Sequence, residues 1–322
     1  MALSLCPTAN AATSRPFRIA FANADETAGV HLEGLGFTGH DVRHGFELAA
    51  RTLPVEMIYL DNGGDADRAL ANADDAVRRK VDLLIEFNPE TRVNAEIAWR
   101  LKDAGIPVLA IGYPVGEAPI YAADNLAAGT MAGEALGSFG KQAWPDQAVI
   151  AAVIGDTGDP GDAVRRRLEG ITEGLRRTYP GITPTALDTG GQPSRAEALV
   201  ARLLAGQPGR KLLIAALDDP TALAAKVGVE LTRRLNDAVI VSQGLDRSVH
   251  GGASEKKEID PTNRGSLLLG SVAYYLDRYG YDVLPLALRL LQGQAVPART
   301  VTTHVLVSGR NVFQEYPPHD MN

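Results

Sequence analysis

Residues 211–235 read KLLIAALDDPTALAAKVGVELTRRL. Lys211 is followed by six apolar residues in a row, and Asp218, Asp219 and Pro220 end the run. An apolar run of this length without alternation is the pattern of a strand buried on both faces, the form strands take in parallel sheets. The residues after the run have helical spacing, with Asp219 as a natural N-cap and Pro220 at the first helical position, where its missing N–H costs nothing. A strand that feeds a helix through two polar residues is half of a βαβ unit. It sets Asp218 and Asp219 at the carboxyl end of the strand, where open α/β sheets hold their ligands.

The same rhythm runs in both directions from this segment. Strands are predicted at 17–23 (FRIAFAN), 55–61 (VEMIYLD), 82–88 (DLLIEFN), 107–113 (PVLAIGY) and 119–123, and then at 148–156 (AVIAAVIGD), 183–189, 238–244 (AVIVSQG) and 266–274 (SLLLGSVAY). Amphipathic stretches at 67–80, 91–104, 162–179, 194–205 and 220–235 predict helices, the fourth opened by a Ser194–Glu197 capping box. There are too many strands for one ordinary open sheet. The predicted fold class is therefore α/β, with two doubly wound parallel-sheet domains dividing near residues 121–126.

The totals suit this reading. A chain of 322 residues can bury two cores, and a net charge of -7 argues against nucleic acid, which needs a basic surface. Cys6 is the single cysteine, which excludes an internal disulfide and cysteine-based metal or redox chemistry. No apolar run is long enough to span a bilayer. Residues 1–15 are expected to be a signal-peptide remnant, with Ala9-Asn10-Ala11 as a small-x-small cleavage pattern.

Polar residues cluster where the predicted strands end: Asn23, Asp25 and Glu26; Asn88; Tyr113; Asp124 and Asn125; Asp156 and Thr157; Asp218 and Asp219; Gln243 and Asp246. Any one of them taken alone reads better as a turn residue or cap. Repeated across both halves, the set predicts a polar site able to hold hydroxyl groups. The run Arg165-Arg166-Arg167 lies on an amphipathic helix; it reads as a solvated face, with Arg165 in the first turn nearest the strand end and so the one arginine expected to reach a ligand. The sequence carries no GxSxG elbow, P-loop, HExxH or GxGxxG pattern. His40 and His44 share a helix face but have no carboxylate at the usual ligand spacing, so no metal and no cofactor are expected.

Three segments carry a family resemblance: 84–94 (LIEFNPETRVN), 105–112 (GIPVLAIG) and 121–133 (YAADNLAAGTMAG), with 283–312 at the C-terminal end. In their order and spacing the chain resembles the type I periplasmic binding proteins, in particular the ribose- and sugar-binding branch, from Pro16 to Val312. The same fold carries the effector domains of LacI-type repressors, whose helix-turn-helix has no counterpart before the strand at residue 17. The resemblance implies two lobes joined by a three-segment hinge and closing on a ligand. One lobe would be 16–123 plus 275–303 and the other 124–274 plus 304–322, with crossings near Ala123-Asp124, Tyr274-Tyr275 and Thr303-His304. Carried over position by position, it implies a site including Asn88, Arg165, Asp218 and Asp246, with Tyr274 where the ribose branch has a hinge glutamine. Gly112-Tyr113 replaces that branch's Asp-Arg pair, and a longer loop holding Phe37 replaces its short loop after the first strand. Ribose itself is therefore not expected, while Phe37, Tyr113 and Tyr274 offer faces on which a sugar ring can stack.

The implied function is a non-enzymatic, monomeric periplasmic solute-binding protein that delivers a sugar-like ligand to a membrane ABC permease. The alternative is a periplasmic sensor that presents its solute to a chemoreceptor or histidine kinase.

Overall fold

The structure is a computed structural model that describes residues 15–158, 161–250 and 257–317. The signal-peptide remnant expected at the N-terminus lies outside the described residues, apart from Arg15. In chain order the elements are β1 (Phe17–Asn23), α1 (Gly39–Ala50), β2 (Val55–Asp61), α2 (Ala66–Arg78), β3 (Leu83–Glu86), α3 (Thr91–Asp103), β4 (Val108–Ile111) and β5 (Ile120–Ala122). They continue with α4 (Asn125–Ala143), β6 (Val149–Gly155), α5 (Asp162–Thr178), β7 (Thr185–Asp188), α6 (Arg195–Gly206), β8 (Lys211–Ala216), α7 (Asp219–Leu231), β9 (Ala238–Gly244) and β10 (Leu268–Ala273). The last are α8 (Tyr279–Leu291), β11 (Arg299–Val301), β12 (Leu306–Val307) and α9 (Val312–Glu315).

The strands form two six-stranded sheets, ordered β11-β5-β4-β3-β1-β2 and β12-β10-β9-β8-β6-β7. All pairings are parallel except β12 with β10. The chain therefore passes between the sheets three times: from β5 to α4, from β10 to α8, and from β11 to β12. The central strands β3, β8 and β9 are buried almost throughout, which is why they read as mostly apolar runs, broken only by Glu86 in β3, by Ser242 and Gln243 in β9 and by the half-buried Lys211 that opens β8.

Two helix starts differ from the sequence reading. The N-cap of α7 is Asp218, not Asp219: its backbone is extended and its carboxylate accepts from the Thr221 N–H at 2.7 Å. Asp219 already lies inside the helix and turns inward, accepting from the Ser242 and Ser271 hydroxyls and the Asp246 N–H. Ser194 has helical φ and ψ and makes no cap bond, so the expected capping box is not formed. A capping box does open α1, from Thr38 to Asp41.

Helices α4 and α5 touch backbone to backbone. A Cβ on Gly129 would lie 2.2 Å from the Arg167 carbonyl oxygen, and one on Gly170 2.2 Å from that of Leu126. One turn further on, Gly133 and Gly174 meet Ile171 and Thr130 in the same way. This approach fixes the first turns of α5 against the start of α4.

Candidate functional site

A cleft separates the carboxyl ends of the strands of the two sheets. Asp156, Thr189 and Asp218, which follow β6, β7 and β8, line a cavity of about 320 Å³ together with Thr221. The opposite wall is His31, Gly34 and Leu35, from the loop between β1 and α1. Beyond the same loop, a second cavity of about 670 Å³ is lined by Glu33, Tyr113, Asp124, Asn125 and Arg166.

Arg167 stands between the cavities and is fully buried. Its Nε donates to Asn125 Oδ1 at 2.9 Å, its Nη1 to the carbonyls of Leu217 at 3.1 Å and Gly34 at 3.3 Å, and its Nη2 to the carbonyl of Glu33 at 2.5 Å. The guanidinium also lies over the Tyr274 ring, 5.2 Å from its centre. The sequence reading put Arg165 in this position. Arg165 instead faces solvent and pairs loosely with Asp162, because the inward stripe of α5 runs through Val164, Arg167 and Ile171. That stripe was visible at helical spacing, with Arg167 three residues after Val164 and four before Ile171.

Of the other expected residues, Asp156 and Asp218 line the smaller cavity and Tyr113 the larger. Asp156 is exposed. Asp218 is spoken for in part, since both its carboxylate oxygens accept from Thr221. Tyr113 stacks on Phe87 and hydrogen-bonds Glu33, and burial beside that carboxylate pushes its phenol up. Asp246 is buried under the loop: its Oδ1 accepts from the Ser248 N–H, and its Oδ2 has no hydrogen-bond partner among the described residues. Tyr274 is buried, and its hydroxyl donates to Gln243 Oε1 at 2.8 Å; it supports Arg167 rather than offering a free ring face.

The remaining four do structural work. The Asn23 Nδ2 donates to the Gly39 carbonyl at 2.8 Å and to Glu26, tying together the two ends of the loop. Asp25 accepts from the Thr27 N–H at the loop's base and lines neither cavity. Asn88 is fully buried and bonded to Asn94 and Glu90. Phe37 is core, packed with Leu32 and Leu35 rather than presented to a ligand.

The electrostatics are acidic. Burial raises the carboxyls of Glu33, Asp218 and Asp246 above their ordinary range, and burial together with the nearby Asp246 raises Asp219 well above it. No three His, Cys, Asp or Glu side chains are grouped to hold a metal among the described residues.

Behind the cleft, one imidazole joins all three crossings. His304 accepts from the Asp124 N–H through Nε2 at 3.1 Å and meets the Ala273 carbonyl through Nδ1 at 2.9 Å. The pattern requires the neutral ring with its proton on Nδ1, and burial lowers its pKa accordingly.

A family model described as "Periplasmic binding protein domain" matches residues 36–295. The chain belongs to the periplasmic binding proteins. No curated protein matches the sequence. Among solved structures, the chain is similar to an ABC transporter periplasmic solute-binding protein from Actinobacillus succinogenes with bound D-allose. The TM-score is 0.71 and the identity 14%, over 93% of this chain and 100% of that one. A solute-binding protein from Mycobacterium smegmatis with bound glycerol gives 0.69 and 20%, over 92% and 96%. A carbohydrate transporter solute-binding protein from Agrobacterium radiobacter in complex with D-arabinose gives 0.67 and 18%, over 94% and 97%. These likenesses establish the type I fold of this family: two parallel-dominated sheets, three crossings, and a cleft at the strand ends. No helix among the described residues is long and apolar enough to cross a membrane.

Proposed function

We propose that the chain is a monomeric periplasmic solute-binding protein that captures a small sugar or polyol in the cleft and hands it to a membrane ABC permease. Its lobes are 16–123 plus 275–303 and 124–274 plus 304–322, and they turn about the crossings that His304 joins. The observation that carries this reading is the smaller cavity: polar strand-end residues of one sheet face the loop that follows the first strand of the other, around a space of about 320 Å³. Its aspartates and threonines suit hydroxyl groups, and no lysine or arginine among the described residues lines it. The sugars and polyols bound by structurally similar proteins support the same ligand class. Capture requires only that solute favour the closed arrangement through contacts it makes in no other, with no bond made or broken.

A thermal-shift screen with aldoses, ketoses, polyols and amino acids tests this. A solute that binds the folded state at a hundredfold over Kd adds about 2.7 kcal/mol to its stability. Asp156→Ala should remove most of that gain while leaving the unliganded protein's stability close to wild type, because Asp156 is an exposed residue on the cavity wall. A shift with an amino acid and with no carbohydrate would overturn the ligand class.

A further inference from the structure

The loop over residues 24–38 does more than line a wall. It leaves the first sheet and runs into the cleft, where Gly34 and Leu35 bound one cavity and Glu33 the other, so that it divides the space in two. Its Leu32, Leu35 and Phe37 are buried in a core cluster that also contains Leu217 and Val241 of the second sheet's lobe. Glu33 and Gly34 both adopt positive φ, at 58° and 61°. This turns both of their carbonyls toward the Arg167 guanidinium. Gly36 passes so close over Asp246 that a Cβ there would lie 1.4 Å from its Oδ2.

The polar groups beneath the loop are only partly served by it. Asp246 Oδ2 and Gln243 Nε2 are buried without a hydrogen-bond partner among the described residues. Groups this deep are normally paired. The loop thus satisfies the arginine with two backbone carbonyls and covers, without bonding, the Asp246 carboxylate. A main-chain segment is standing where hydroxyl groups could stand.

We propose that this loop is a tethered occupant of the cleft. It holds the two lobes together when no solute is present, by engaging Arg167 through the carbonyls of Glu33 and Gly34 and by covering Asp246 with Gly36. Closure without solute is then the resting state of the chain, and the loop rather than a ligand bridges the lobes.

Small-angle X-ray scattering on the full chain tests this, after unfolding and refolding to strip any co-purified solute. The wild-type profile without solute should match that expected of this structure, with the loop bridging its lobes. Gly36→Val places methyl groups where Asp246 stands, so it should expel the loop and shift the radius of gyration upward. Leu35→Ser, which removes the loop's buried anchor, should move it in the same direction and serves if the valine variant does not fold. An open wild-type profile overturns the proposal, and so do folded variants with the wild-type radius. The measurement uses no solute, so a sugar screen that finds no ligand leaves its result intact.

Discussion

Glu86 ends β3 with no exposed surface; its Oε1 accepts from Asn62 Nδ2 at 2.8 Å, while its Oε2 has no partner among the described residues. Burial raises its pKa from 4.5 to about 8, only partly opposed by Asn62. An acid whose folded pKa lies above its unfolded one keeps its proton in the native state after the unfolded chain has released it. Stability is therefore greatest below the unfolded value, declines as pH rises toward 8, and levels off beyond it. With these two values the loss is about 3 kcal/mol at pH 7 and about 5 kcal/mol at pH 9. Glu86→Gln keeps the acceptor for Asn62 and replaces the neutral acid with a neutral amide. Urea unfolding of wild type and variant from pH 5 to 9 should give stabilities within about 1 kcal/mol of each other at pH 5, diverging in the variant's favour by about the amounts above. A difference that stays constant across this range would show that Glu86 does not titrate between the two states, and would refute the reasoning.

Two further outcomes concern the cleft and the hinge. His304 has a lowered pKa, so it contributes stability above its unfolded value of 6.5 that is lost as pH falls through the folded value. His304→Phe should flatten that acid limb in urea titrations at pH 5 and 7 and cost about 1–3 kcal/mol at pH 7, from the orphaned Asp124 N–H. Arg167→Met leaves the buried carbonyl of Leu217 and the part-buried carbonyls of Glu33 and Gly34 without their donor and should lower stability by about 3 kcal/mol or more in chemical denaturation, whereas the exposed Arg165→Met should stay within about 0.5 kcal/mol.

The fold was legible because both of its sheets are mostly parallel. Strands such as β8 and β9 are covered on both faces and so are mostly apolar, with polar residues only toward their ends, Lys211 in β8 and Ser242 and Gln243 in β9, and the helices between them are amphipathic, so the alternation is written directly in the residues. The short strands β11 and β12 were not read as strands. With three and two residues, they have no periodicity of their own and exist only because the chain returns to each sheet's edge. The N-cap of α7 was misplaced by one residue for a similar reason. Asp218 and Asp219 are chemically identical, and what separates them is the pair of serine hydroxyls that draws Asp219 inward from strands distant in sequence.

The site was legible in its chemistry and not in its assignment. Strand-end carboxylates line the cleft as expected, because strand ends in such sheets converge whatever their sequence. Which arginine enters was decided elsewhere. The glycines at 129 and 133 of α4, and at 170 and 174 of α5, are each four residues apart, about one helical turn, and let the two helices meet backbone to backbone. That contact fixes the rotation of α5 about its axis. Once the glycine face is committed to α4, the side chain of Arg167 falls toward Asn125 at the head of α4, and Arg165 falls toward solvent. The loop is harder still: Glu33 holds an unfavourable left-handed backbone whose compensation is the guanidinium of a residue 134 positions away. No local signal could have announced it.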